Sequence, residues 1–237
     1  MDYYPLKAKV NGYLLKHIGG AQRPAFFDPA SVCPALEHVT QAYPVIREEC
    51  DRLLARRSAL PRYHEIDPGQ TNISAIVDAD RNWYVFMLYL LGHKPQANRA
   101  LCPETCRVLD RIPTLVQAFF SILDAGKSIP RHEGPYLGYL RYHLGLRIPT
   151  VQPPKLIVNA QEYVWQAREA TMFDDSWPHE VINESPEPRV VLIVDVLRPL
   201  PLIPALLNKC IIYGLARPTY YRGVLRRVEH SAFITTH

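Results

Sequence analysis

Residues 117–123 (QAFFSIL), 137–149 (LGYLRYHLGLRIP), 155–159 (KLIVN), 162–166 (EYVWQ), 170–174 (ATMFD), 179–183 (HEVIN) and 189–196 (RVVLIVDV) are short runs rich in β-branched and aromatic side chains. Gly, Pro, Asn and Asp separate them at intervals of roughly ten residues, the spacing of strands joined by turns. Such a series predicts an antiparallel β-sandwich or barrel, in which alternate side chains fill one interior. The fold class expected is mainly β with flanking helices.

Outward from this stretch the period changes. Residues 29–57 carry apolar side chains at helical spacing, with Asp28 or Ser31 as caps and Pro44 dividing the stretch into two helices. Residues 58–82 are polar and punctuated by Pro61, Pro68 and Gly69, which reads as loop with room for one short strand. An aromatic-rich run follows at 83–92, then a helix over 103–112 with Pro103 in its first position. The tail from Pro199 opens with prolines and allows one or two helices with interleaved arginines. The organisation expected is one domain over 1–237: a mostly helical flank (1–112), a β core (113–200) and a helical tail (201–237).

Composition narrows the function classes. The chain is 48% hydrophobic and carries a net charge of +4 from 27 basic and 23 acidic residues, with no long basic stripe. A globular core is expected, and nucleic acid is not an expected partner. Five cysteines, at 33, 50, 102, 106 and 210, are too few and too scattered for a disulfide framework. Reducing cytosol is the compartment they suit. Cys102 and Cys106, in CPETC, read as packing residues around a helix start. The first residues contain no continuous apolar run followed by a cleavage site, and no segment approaches the ~20 apolar residues that span a bilayer. A cytoplasmic location is expected, with a basic, apolar tail suited to peripheral contact with a membrane surface.

The chemistry concentrates in two histidines 47 residues apart, His132 in IPRHEGP and His179 in FDDSWPHEVIN, each in a strand-like segment, with Arg189 ten residues after the second. Two imidazoles on neighbouring strands can hold one metal ion, and a guanidinium nearby can hold a dicarboxylate. The usual iron-oxygenase pattern adds a carboxylate two residues after the first histidine, where this chain has Gly134. Glu133 and Glu180 each adjoin a histidine and therefore point to the opposite face of their strand. Asp175, four residues before His179, is a weaker candidate ligand.

Residues 120–149 (FSILDAGKSIPRHEGPYLGYLRYHLGLRIP) and 172–199 (MFDDSWPHEVINESPEPRVVLIVDVLRP) resemble the aspartyl/asparaginyl β-hydroxylases in their H-x-G-P, R-x-H-L-G-L and F-D-D-S-x-x-H-E elements. A weaker likeness runs upstream from residue 82. The resemblance implies a double-stranded β-helix core, the cupin-like jelly roll. It also implies a dioxygenase that uses Fe(II), 2-oxoglutarate as cosubstrate and dioxygen, and that lacks the carboxylate ligand. Carried onto this chain, it makes His132 and His179 the iron ligands and pairs Arg189 with the distal carboxylate of 2-oxoglutarate. Ser121 would hydrogen-bond the cosubstrate, Arg141 and His143 would reach the cosubstrate and substrate carboxylates, and Trp83 would line the pocket. Asp195 and Arg198 read as structural.

The substrate that the resemblance implies is an amino acid, a peptide or a lipid. Hydroxylation at the β-carbon of an aspartyl or asparaginyl residue stands first. Hydroxylation of an acyl chain, as in the lipid A 2-hydroxylase branch, is the alternative. A non-catalytic cupin-like binding module, or a structural zinc site, is the reading from a different class.

Overall fold

In residues 189–197, Arg189, Val191, Ile193 and Asp195 alternate with Val190, Leu192, Val194 and Val196, and all eight are buried. A strand covered on both faces explains why this run is almost continuously apolar, and its place in the fold supplies both covers. The computed structural model describes residues 4–75 and 81–231.

The strands are β1 (Phe26–Phe27), β2 (Trp83–Leu90), β3 (Leu115–Leu123), β4 (Ile129–His132), β5 (Tyr139–Arg147), β6 (Lys155–Val158), β7 (Gln161–Val164), β8 (Ala170–Phe173), β9 (His179–Ile182) and β10 (Arg189–Leu197). They form a six-stranded sheet in the order β1-β8-β5-β10-β3-β2 and a four-stranded sheet in the order β4-β9-β6-β7. Every pairing is antiparallel. Side chains of both sheets, among them Phe119, Val191, Leu156, Val158 and Val181, share one interior core. This is the jelly-roll architecture expected.

The helices are α1 (Tyr4–Leu15), α2 (Pro29–Val32), α3 (Leu36–Gln41), α4 (Tyr43–Leu54), α5 (Tyr63–Ile66), α6 (Thr71–Ser74), α7 (Gln96–Leu101), α8 (Pro103–Leu109), α9 (Leu202–Lys209) and α10 (Tyr220–Glu229). Leu36, Val39, Ile46, Leu53 and Leu109 pack against Leu192, Val194 and Tyr142 on the outer face of the large sheet. The buried carboxylate of Glu49 in α4 accepts from the backbone N–H groups of Glu104 and Thr105, at 2.9 and 2.8 Å, and from the Thr105 hydroxyl. It thereby supplies acceptors for the unpaired first turn of α8.

Several details differ from the sequence reading. The 29–57 stretch makes three helices, with Asp28 capping α2 through Ala30 and Ser31, and with Pro44 in the first turn of α4. The 58–82 stretch is mostly single helical turns, because Asp67 and Glu65 satisfy local backbone N–H groups there; its residues 76–80 lie outside the described residues. The 83–92 run forms β2, which edges the large sheet beside β3, so the β core reaches back into the helical flank. Cys33, Cys50, Cys102, Cys106 and Cys210 are all free, and the CPETC pair is buried packing as read. Among the described residues, no helix is long and apolar enough to cross a membrane.

The hairpin between β6 and β7 turns on Asn159 and Ala160, both with positive φ (47° and 63°), between paired Val158 and Gln161. Two left-handed residues are the type I′ geometry, which Asn tolerates through its short polar side chain and Ala adopts only at a steric cost. Ala160→Gly is expected to stabilise the protein by up to about 1 kcal/mol, the left-handed strain relieved less the extra entropy of glycine in the unfolded chain. Urea denaturation measures it, and a loss of stability would show that the turn is not strained at Ala160.

Candidate active site

The antiparallel register of β4 and β9 sets His132 directly opposite His179, on one face of the small sheet. Their ring centroids lie 4.1 Å apart. Each Nδ1 faces the carbonyl oxygen two residues earlier, Pro130 at 2.8 Å and Trp177 at 2.9 Å. A carbonyl can only accept, so each Nδ1 carries the hydrogen and each Nε2 keeps its lone pair. Burial disfavours protonation of both rings, and at His179 the neighbouring His132 adds to it, bringing that imidazole down to about 3. Two neutral imidazoles with one tautomer fixed by backbone acceptors form a ligand pair suited to a transition metal.

No cluster of three or more His, Cys, Asp or Glu side chains suited to a metal occurs among the described residues. The reason lies at Gly134, whose N–H donates to the Asp175 carbonyl at 2.7 Å. A Cβ at residue 134 would come within 2.6 to 2.7 Å of all three carboxyl atoms of Asp175. That carboxylate cannot swing aside, because Tyr139 Oη donates to it at 3.2 Å and Arg141 Nη1 lies 3.3 Å from it. Burial lifts Asp175 to about 7, against the pull of Arg141. Glu133 is exposed at the surface.

A second group of polar atoms gathers in the same interior. Trp83 Nε1 donates to Ser121 Oγ at 2.9 Å across the β2–β3 pair, and Arg189 Nη1 donates to the same oxygen at 3.4 Å. Arg189 is 1% exposed, its guanidinium stacks 4.2 Å from the Trp165 ring centroid, and its Nε finds no partner. Burial lowers it to about 9, so it is still a cation at neutral pH. His143 stacks with the same Trp165, 5.8 Å from it and nearly parallel. It meets Phe173 edge-on at 5.0 Å, and Phe173 in turn lies 5.8 Å from His179. Both His143 ring nitrogens are buried without a partner, and burial together with Arg189 holds that imidazole neutral. A buried cation and a neutral imidazole with unfilled hydrogen-bonding capacity are what an anionic ligand would complete. These residues therefore fit a dicarboxylate held beside a metal on the histidine pair.

The structure brings His132, His179, His143, Arg189, Ser121 and Trp83 together, but gives Arg141 a different task. Its Nε and Nη2 donate to the two carboxylate oxygens of Asp195 at 2.9 Å each, and its Nη1 faces Asp175. Burial works against its charge, yet the two carboxylates outweigh that and hold it firmly protonated. With its donors committed, Arg141 organises the floor beneath the site rather than reaching for an incoming acid. Arg198 is structural as read: its Nε donates to the Leu137 carbonyl at 2.7 Å, and it pairs with Asp174 at 2.7 Å.

Trp165 is the residue that the sequence reading missed. It falls within the 162–166 run read as a strand, but β7 ends at Val164, one position earlier, and the chain crosses β5 at Gly145. A Cβ there would meet the Gln166 carbonyl oxygen at 2.2 Å, which explains the glycine of R-x-H-L-G-L and could have pointed to a close crossing. Tyr221 of α10 is partly buried and packs against the same interior core, so the tail lies over it.

Residues 40–199 match a family profile described as aspartyl/asparaginyl β-hydroxylase. An ornithine lipid ester-linked acyl 2-hydroxylase from Rhizobium tropici is 38% identical over 179 residues, covering 75% of this chain and 62% of that protein. The human aspartyl/asparaginyl β-hydroxylase is 32% identical over 123 residues, 50% of this chain and 16% of that protein. Aspartate β-hydroxylase domain-containing protein 2 from Xenopus tropicalis is 33% identical over 126 residues, 49% of this chain and 34% of that protein. The chain thus spans less than two thirds of the length of these curated relatives. Among solved structures, a cupin domain of a transcriptional regulator from Enterobacter cloacae is similar over 48% of this chain and 95% of its own, with 12% identity and a TM-score of 0.34.

The two arginines should respond oppositely to removal. Arg141→Ala strands two buried carboxylates and is expected to cost about 3–5 kcal/mol in urea denaturation. Arg189→Met removes an incompletely paired buried cation and should leave the metal-free protein within about 1 kcal/mol of its stability, or raise it. Equal losses for the two variants would mean that Arg189 is a structural pair member.

Proposed function

This chain belongs to the aspartyl/asparaginyl β-hydroxylase family, and we propose that it is an Fe(II)- and 2-oxoglutarate-dependent hydroxylase of an unactivated C–H bond, with a lipid acyl chain as substrate. The observation that carries the reading is Arg189: a fully buried guanidinium with open donor capacity, in the same interior as two neutral histidines whose Nε2 lone pairs are free to bind metal. When bound, iron and 2-oxoglutarate supply the oxidation, in which decarboxylation of the cosubstrate to succinate accompanies insertion of one oxygen atom from dioxygen into the substrate.

The chain's own residues bind, orient and exclude water. Pro130 and Trp177 carbonyls fix the ring orientation of His132 and His179, so the two nitrogens are aimed before the metal arrives. Arg189 and the Ser121 hydroxyl would hold the distal carboxylate of 2-oxoglutarate, a charge-assisted contact on the order of 1.5–3 kcal/mol. Trp83 orients that hydroxyl by occupying one of its lone pairs. Trp165, Phe173 and Val191 make the walls apolar, which strengthens the ion pair by keeping water out. The Asp175 carboxyl fills the space a side chain at residue 134 would need, so a protein carboxylate from that position is excluded.

The acyl-chain reading is favoured by the 38% identity that runs over 75% of this chain with the ornithine lipid hydroxylase. The β-carbon of an aspartyl or asparaginyl residue is the second reading, favoured by the relatives at 32–33% over about half of the chain.

Anaerobic addition of Fe(II) and 2-oxoglutarate is expected to raise a visible charge-transfer band that His179→Ala abolishes; its absence from the unmutated protein would refute the oxygenase reading. Arg189→Ala should raise the KM for 2-oxoglutarate by more than about tenfold, the equivalent of ~1.4 kcal/mol. For the substrate, succinate release above the uncoupled rate is measured with acyl lipids dispersed in detergent and with aspartyl peptides. Stimulation by the peptides alone would reverse the order of the two readings.

A further inference from the structure

Among the described residues, seven large hydrophobic side chains are exposed, and four of them fall in α9: Leu202 (74%), Ile203 (73%), Leu206 (54%) and Leu207 (39%). Their spacing of i, i+1, i+4 and i+5 puts them on one side of the helix, while Pro204 and Asn208 on the other side are buried. A contiguous exposed apolar face of this kind marks a docking surface.

Charge identifies what it docks on. From residue 199 to residue 228 there is no Asp or Glu, while Lys209, Arg217, Arg222, Arg226 and Arg227 are basic. Between residues 3 and 27 there is again no acid, with Lys7, Lys9 and Lys16; Arg23 is taken up by its pair with Asp174. The two segments meet in space: Val10 and Leu14 of α1 share a small core with Leu137, against which Leu200 and Ile211 pack. An apolar helix face within acid-free, basic segments complements an anionic bilayer surface, and its length suits lying on the interface rather than spanning it.

The same helices hold the loop that leaves the histidine site. Asn11 of α1 donates to the Pro135 carbonyl at 3.1 Å and accepts from the Leu137 N–H at 3.2 Å. Asn208 of α9 donates to the Gly138 carbonyl at 2.7 Å and accepts from Tyr136 Oη at 2.8 Å. Residues 135–138 begin three positions after His132, so the docking face and the site share one short connection.

We propose that α9, supported by α1 and the basic residues after it, seats this protein on anionic lipid membranes and brings the active site to an acyl substrate there. The proposal rests on the lipid reading for its purpose, but membrane binding is measured without iron, cosubstrate or turnover. In flotation with the full chain, phosphatidylcholine vesicles containing phosphatidylglycerol should carry the protein, and pure phosphatidylcholine vesicles should carry far less. Ile203→Asp/Leu206→Asp should lower partition at least about tenfold, and Lys209→Gln or Arg222→Gln about fivefold each on the anionic vesicles. Turnover of a detergent-dispersed acyl lipid should be unchanged in these variants. Ile203→Ser/Leu206→Ser, with melting temperature as a check, keeps the test valid if the aspartates perturb folding. Three results would each overturn the proposal: no binding to the anionic vesicles, undiminished binding by the apolar-face variants, or a dimer in solution that those variants convert to monomer, which would make a second copy of the chain the occupant.

Discussion

The register of one short antiparallel pair governs this molecule. With β4 and β9 aligned so that residue 132 faces residue 179, two imidazoles stand side by side and their Nε2 atoms become a single donor set. A slip of one residue would turn one ring to the other face of the sheet and separate them. The register is held from both ends. On one side, Val181 opposite Ile129 packs into the interior core. On the other, the Gly134 N–H bonds the Asp175 carbonyl across the turn preceding His179.

Around that pair the interior divides its charges by role. Arg141 lies between Asp195 and Asp175 with its donors used, and Gln117 Nε2 completes Asp195 at 2.7 Å. Arg141 offsets Asp195, and burial lifts Asp175 to about 7 so that it carries only part of a charge at neutral pH; burial of the cluster is therefore tolerable and it can act as a rigid base. Arg189 is the opposite case, a buried cation whose strongest contacts are one long hydrogen bond and an indole face. Proteins tolerate incomplete pairing of that kind where a ligand completes it. Two arginines of similar burial thus have different meanings, and their hydrogen-bond inventories tell them apart.

The glycines of the two short motifs follow from the same crowding. Gly134 is small because the Asp175 carboxylate fills the space beside it, and Gly145 because the chain at Gln166 crosses β5 there to seat Trp165 beneath His143 and Arg189. An absent metal ligand and an apparently idle strand glycine are both consequences of packing in the space between two sheets.

Local pattern alone made much of this readable. Alternation and turn residues identify β3, β5, β6, β7, β8, β9 and β10, because each strand's side chains must divide between two faces whatever its neighbours are. Spacing of His132, His179 and Arg189, with the motifs around them, singles out the candidate ligands and the anion-binding group. Strand order, by contrast, depends on which edges meet, and so β2 joined the large sheet from within a region read as flank. The partners of a long charged side chain likewise depend on residues brought from elsewhere: Asp195 claims Arg141 because β10 lies beside β5, and Trp165 reaches Arg189 because a loop crosses a glycine. Periodicity is a property of neighbours along the chain and survives in the sequence, whereas pairing across the interior is a property of neighbours in space and came only with the packed sheets.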